Sequence, residues 1–361
     1  MRSSAYFPTL DGLRAIAILL VLYNHVPQLM GRDDGSDGEF WAASRGAWLG
    51  VDLFFVLSGF LITNLLLRDR GQPHALRRFW VRRAFRIFPL AYGYLLVLGL
   101  VAICVPGFGE LHDTAAFLTA ATYTLNFRVV GHGWSAACFS ILWSLCVEEH
   151  FYFLWPGVAL FARERLVAVV VVVLIVGTPL LRAALGHACG PAGLYVLTCC
   201  RWDSLAWGAG LALLWNSALQ QRTVRLARWL LVPALVLVGF VLGQPVSAVD
   251  PAVPPWFEIV GFTGIAAAFT VLCAVALAGG RWVHLLLAQP LLVWIGRVSY
   301  GVYIWHVLLA EIVIRIADTV HASASLPLRA GIWFALLLPW AALSHRAFEL
   351  PVQRLRGRFS A

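Results

Sequence analysis

"ILWSLCVEEHFYFLWP", residues 141–156, decides how the chain is read. Most of it is apolar or aromatic, the composition of a segment that crosses a bilayer, yet Glu148, Glu149 and His150 sit together in its middle. A charge at the centre of a membrane helix costs about 2.5–3.5 kcal/mol on insertion scales, so ionisable groups at that depth face a cavity or one another. The stretch therefore implies a membrane helix and a buried polar site at once.

The whole chain repeats the apolar half of that pattern. Of its 361 residues, 61% are hydrophobic and 12% charged, too little polar surface to cover a large soluble core. An average soluble domain is about 45–50% apolar and 25% charged. Apolar segments recur at 12–30, 49–67, 87–105, 141–161, 166–182, 195–216, 228–243, 256–278, 297–318 and 329–347. Each is close to the ~20 residues a spanning helix requires. The fold expected is all-α: one polytopic bundle of about ten transmembrane helices filling residues 1–361, multi-pass in the cell membrane. Asp11 and Arg14 interrupt the first apolar stretch and no small-residue cleavage site follows, so no cleaved leader is expected.

Basic residues set the topology. All 27 are arginine, and they cluster between apolar segments, which suits cytoplasmic loops better than nucleic acid. The short stretch "TAAFLTAATYTLNF" at 114–127 is the ambiguous one. If it does not cross, the 68–86 arginines, Arg163, Arg165, Arg222, Arg225, Arg281 and the C-terminal arginines all lie on one side. The other side then holds mainly Arg32, Arg45, Arg128 and the acidic run Asp33, Asp34, Asp37 and Glu39. The positive-inside rule thus favours ten spans with both termini cytoplasmic. Seven scattered cysteines, without CxxC or His/Cys spacing, read as small core hydrophobes, and no metal is implied.

Depth then sorts the polar residues. Arg14 and His25 lie at opposite ends of the first span, about 16.5 Å apart along the axis and on nearly the same helix face. Asp52 enters the second span at a depth similar to His25. It could orient the imidazole, as a carboxylate does in hydrolase triads, or simply cap the span. Asp203 and His306 fall well inside their spans; Arg201 could pair Asp203, and Glu311 with Arg315 forms an i,i+4 pair. The segment "RRFWVRRAFRIFP" at 77–89 holds five arginines, with Arg78, Arg82 and Arg86 every four residues and Arg83 sharing much of their face. Such a cluster suits phosphates or anionic lipid.

"YFPTLDGLRAIAILLVLYNHV", "GVDLFFVLSGFLI", "FWVRRAFRIFPLAY", the opening stretch and "VSYGVYIWH" resemble, in order, the successive signatures of the acyltransferase-3 family of integral-membrane proteins. That resemblance implies transfer of an acyl group, acetyl or short and branched, from acyl-CoA to a hydroxyl of a carbohydrate, of peptidoglycan or of a macrolide-type natural product. The family's arginine–ten residues–histidine pair falls on Arg14 and His25, its arginine-rich segment on Arg82, Arg83 and Arg86, and its Glu-Gln-Phe-Tyr element on Glu149 to Tyr152. His150 stands where glutamine is usual.

The site expected is therefore His25 as general base or acylated nucleophile, Asp52 orienting it, and Glu149 binding the acceptor or stabilising imidazolium. Arg14, Arg82, Arg83 and Arg86 would hold the CoA phosphates. Many relatives carry an extra extracytoplasmic hydrolase-like domain, which is not expected in this chain. The rival from another class is a proton-coupled transporter using Glu149, His150, His25 and His306 as a relay; it requires inverted repeats, and none is apparent.

Overall fold

A bilayer offers no hydrogen bonds to the backbone, so an apolar chain of this kind must satisfy its amides internally, as helices. The computed structural model describes residues 6–29, 43–244, 247–250, 253–319 and 326–358, and among them every regular element is helical. The acidic run 33–39 and Arg32 lie outside the described residues. In chain order the helices are α1 (Pro8–Leu29), α2 (Leu49–Asp69), α3 (Ala75–Cys104), α4 (Thr114–Ala121), α5 (Leu125–His132), α6 (Trp143–Phe161) and α7 (Glu164–Val196). There follow α8 (Trp202–Trp215), α9 (Gln220–Leu242), α10 (Phe262–Ala278), α11 (Arg281–Leu287), α12 (Pro290–Thr319), α13 (Leu326–Ser344) and α14 (Leu350–Leu355).

Among the described residues all ten expected segments are helical, and eight helical spans are long and apolar enough to cross a membrane. The other two are α6, with its two glutamates and histidine, and α8, whose 14 residues reach only about 21 Å. The chain is an all-α, multi-pass membrane protein. The 114–127 stretch forms α4 and the start of α5, eight-residue helices far too short to cross, with Tyr123 between them in the left-handed region (φ 56°). One boundary differs from expectation: α7 continues well beyond 182 and kinks at Gly190 (φ 61°), just before Pro191.

Burial separates inner from outer helices. In α2, 78% of the apolar window is buried, against 22% in α7, α9 and the α13 region. The outer helices show lipid the exposed faces of Val169, Val172, Val173 and Val176, and of Trp229, Val232, Val236 and Phe240. Inside, the helices approach closely enough to exclude side chains. A Cβ on Gly59 of α2 would stand 2.0 Å from the Leu205 carbonyl oxygen, and one on Gly208 of α8 would stand 2.0 Å from that of Val56. A Cβ on Gly296 of α12 would lie 1.9 Å from the carbonyl of Asp11 in α1. Membrane helices associate through such small-residue contacts, because lipid supplies no hydrophobic drive between them.

Gly59→Ala should accordingly lower thermal stability in detergent by about 1–3 kcal/mol, since the contact is with backbone and only helix separation relieves it. Gly177→Ala, with nothing within 4 Å, should be neutral or slightly stabilising in the same thermal scan.

Candidate active site

The arginine-bearing end of α3 and the glutamate-bearing face of α6 meet across a cavity of about 100 Å³. Arg14 of α1 and Arg83 and Arg86 of α3 stand among its lining residues, with Ser58 of α2, and Glu148 and Tyr152 of α6. Phe54, Leu61, Ile62, Ile87 and Leu145 are among its apolar lining, and Ser144, Tyr300 and Tyr303 add hydroxyls. Ser144, Glu148 and Tyr152 recur every four residues, so one face of α6 supplies them all.

The polar wall is internally bonded. Ser58 Oγ donates to Glu148 Oε1 at 2.6 Å and Tyr152 Oη to Glu148 Oε2 at 3.1 Å. The three arginines differ from it. Arg14 has Asp11 at 3.6 Å, whereas Arg83 and Arg86 form no salt bridge among the described residues. The Arg83 guanidinium lies over the rings of Tyr152 (5.6 Å) and Phe79 (5.8 Å), and its Nε is buried without a hydrogen-bond partner. Arg83 and Arg86, without salt bridges among the described residues, stand in one cavity with Arg14, and their planar forks suit phosphate oxygens.

Not every expected site residue joins this cavity. Arg82 is turned away and paired with Asp69 at the end of α2. Glu149 lies one residue round α6 from the lining face; its Oε1 is buried without a partner, as is Tyr123 Oη on the short-helix hinge. The cavity carboxylate is Glu148. The i,i+4 step from Ser144 to Glu148 to Tyr152 was the signal that distinguishes it from Glu149, whose own i+4 neighbour, Phe153, is exposed. His150, at the position of the usual glutamine, has Nδ1 2.7 Å from Thr198 Oγ1 and stacks on Phe127. Thr198 in turn accepts from Asn126 at 2.8 Å.

Asp52 does not orient His25. Its carboxylate accepts from Arg201 and, at 3.2 Å, from Ser204 Oγ, all within a completely buried cluster. Nor does Arg201 pair Asp203: that carboxylate belongs to Arg182 of α7, at 2.9 Å. Arg201 precedes α8 with non-helical dihedrals whereas Asp203 lies in its first turn, and the two find different partners. Glu311 and Arg315 do pair (3.8 Å), with Glu110 joining them at 2.9 Å.

His25 lies beyond the cavity wall. Its Nδ1 is 2.7 Å from the Val21 carbonyl, and its ring packs against His306, which packs on the cavity residue Tyr303. A carbonyl only accepts, so Nδ1 carries the hydrogen and Nε2 keeps its lone pair.

A family model described as an acyltransferase domain matches residues 7–344. The chain belongs to the acyltransferase-3 family. It is 27% identical over 98% of its length to the peptidoglycan O-acetyltransferase OatA of Listeria monocytogenes, covering 56% of that protein. It is 30% identical over 83% of its length to YrhL of Bacillus subtilis, provisionally named a peptidoglycan O-acetyltransferase, covering 48% of it. A provisionally named O-acetyltransferase of Staphylococcus aureus (strain COL), SACOL0978, is 26% identical over 97% of the chain and 58% of its own length. The chain thus spans about half the length of these curated relatives. No solved structure matches it.

Asp52→Asn should test the reassignment of that carboxylate. It leaves the Arg201 charge buried and unpaired, and should destabilise the protein by about 3–5 kcal/mol in thermal unfolding. Arg82→Ala, which breaks a partly exposed pair, should cost about 1 kcal/mol or less in the same assay.

Proposed function

We propose that the chain is an acyl-CoA-dependent O-acyltransferase that places an acetyl or short acyl group on a hydroxyl of an envelope glycan. One observation carries the reading: a single cavity joins three guanidiniums, two without carboxylate partners, to a wall that ends beside an imidazole pair. The names of the relatives favour a glycan acceptor over a macrolide.

Arg14, Arg83 and Arg86 fit the phosphates of CoA by charge and by fork geometry. The apolar wall formed by Phe54, Leu61, Ile62 and Leu145 suits the slender pantetheine arm and the acyl chain, and would exclude water from the thioester. Glu148, already accepting from two hydroxyls, holds Ser58 and Tyr152 in place.

His25 is the base. With Nδ1–H tied to the Val21 carbonyl, its Nε2 lone pair takes the proton of the acceptor hydroxyl as that oxygen attacks the acyl carbon. The carbon–sulfur bond breaks, and the proton passes to the departing thiolate. If Nε2 were instead acylated first, the same lone pair would serve as nucleophile.

Calorimetric titration of the detergent-purified protein with CoA tests the donor without knowledge of the acceptor. Saturable binding should weaken about tenfold or more in Arg83→Ala/Arg86→Ala, and should be retained in Arg82→Ala. Absence of binding by folded wild-type protein would remove the CoA reading. With acetyl-CoA and chitooligosaccharides, His25→Ala should reduce acetyl transfer by roughly 10²–10⁴-fold.

A further inference from the structure

Beyond the far wall of the cavity a second imidazole stands against the first. The ring of His306 in α12 meets that of His25 edge to face, with centroids 4.9 Å apart and planes at 76°. His306 is completely buried. Its Nδ1 lies 2.5 Å from the Tyr303 carbonyl and therefore carries the hydrogen, as in His25. Its Nε2 is left as a lone pair, buried and without any hydrogen-bond partner.

A buried acceptor without a donor is unfavourable in a resting protein, and packing does not account for this one. The hydrogen bond that ties α13 to this point of α12 runs from Trp333 Nε1 to the backbone oxygen of His306 at 2.9 Å, not to its ring. The aromatic rings it touches are those of His25, Tyr303 and Trp333. Of these, only His25 gains an N–H donor when a hydroxyl is deprotonated. Each imidazole has Nδ1–H on a carbonyl; their Nε2 atoms are not hydrogen-bonded to each other in this state, and a proton gained on His25 Nε2 gives the unpartnered Nε2 of His306 its first donor once the rings close up.

Resting on the role given to His25 above, we propose that His306 is a positioning residue that shares the proton His25 takes from the acceptor hydroxyl. The hydroxyl O–H bond breaks and an N–H forms on His25 as the new ester bond forms. The imidazolium charge is then spread onto His306 until the proton leaves with the departing thiolate. No oxidant, reductant or further reactant enters.

The test uses acetyl-CoA and chitooligosaccharides with the full chain, comparing His306→Phe, which keeps a ring but no acceptor, with His306→Gln, which supplies one. The kcat of His306→Phe should fall on the order of 100-fold with KM for acetyl-CoA unchanged, and His306→Gln should recover most of the loss. A purely structural ring predicts the reverse, an active Phe variant and a poor Gln variant, and that result overturns the proposal. Equal losses in both folded variants overturn it too. His25→Ala separates the two levels. If it retains transfer, the assignment of His25 falls and this inference falls with it. If it loses transfer while His306→Phe keeps full activity, only the inference falls.

Discussion

Two arginine–aspartate pairs, sealed from solvent, hold the centre of this bundle. Arg182 meets Asp203 and Arg201 meets Asp52, and all four side chains are completely buried. Charges in such a place are tolerable only together, because removing one partner leaves the other uncompensated in a low-dielectric interior. The remaining hydrogen bonds of Arg182 run to irregular backbone and to one hydroxyl. Arg182 donates to the carbonyls of Cys200, in a short 3-10 turn, and of Ile259, in a π-helical turn, and to Thr263 Oγ1. Departures from α-helical bonding free carbonyl groups that lipid cannot satisfy, and a guanidinium with five donors is well suited to take them up. Arg201 instead spreads its charge over the ring of Phe262 at 4.4 Å and of Tyr195 at 5.1 Å. The cluster therefore docks α2, α7, α8 and α10 as one unit.

The site inherits its rigidity from that unit. With Asp52 fixed and Gly59 pressed against α8, α2 has little freedom to turn or slide. Its Phe54, Ser58, Leu61 and Ile62, spaced as one helical stripe, then face the cavity opposite α6. Glu148 is held to α2 through Ser58, and Trp155 Nε1 donates to Thr63 Oγ1 one turn further on. The two helices are thus cross-linked by hydrogen bonds at the carboxylate and again beyond it.

Much of this was legible in the sequence, and the parts that were not share a cause. Hydropathy located the ten helices because a bilayer imposes one length and one composition on every span, so each segment could be judged alone. Motif order gave the family for the same reason. Partner choice is a property of pairs of helices. Asp52 was assigned to His25 because the two share a depth, but depth says nothing about azimuth, and α2 turns that carboxylate toward α8. Arg82 was grouped with Arg83 on spacing; the discriminating fact is that Phe79, Arg83, Ile87 and Leu90 form a mostly buried stripe on α3, from which Arg82 is rotated. Glu149, expected at the site, lies one residue round α6 from the cavity face, which Tyr152, four residues on from Glu148, marks in the sequence.

One helix connects the two ends of the proposed chemistry. α1 carries Arg14 at the phosphate-binding end and His25 at the proton-handling end, about 16.5 Å apart on a rigid rod. Its register against α12 is set at its start, where Gly296 admits the Asp11 backbone and Asp11 itself lies near Arg297 (3.7 Å) and accepts from Tyr6 (2.8 Å). Thr9 adds a hydrogen bond to the Ala276 carbonyl of α10 at 2.8 Å. A slip of one residue would rotate α1 by about 100° and move it 1.5 Å, taking Arg14 out of the cavity and His25 away from His306 together. Anion binding and proton transfer therefore cannot be tuned separately by moving this helix. A change at its fixed start must act on both ends at once.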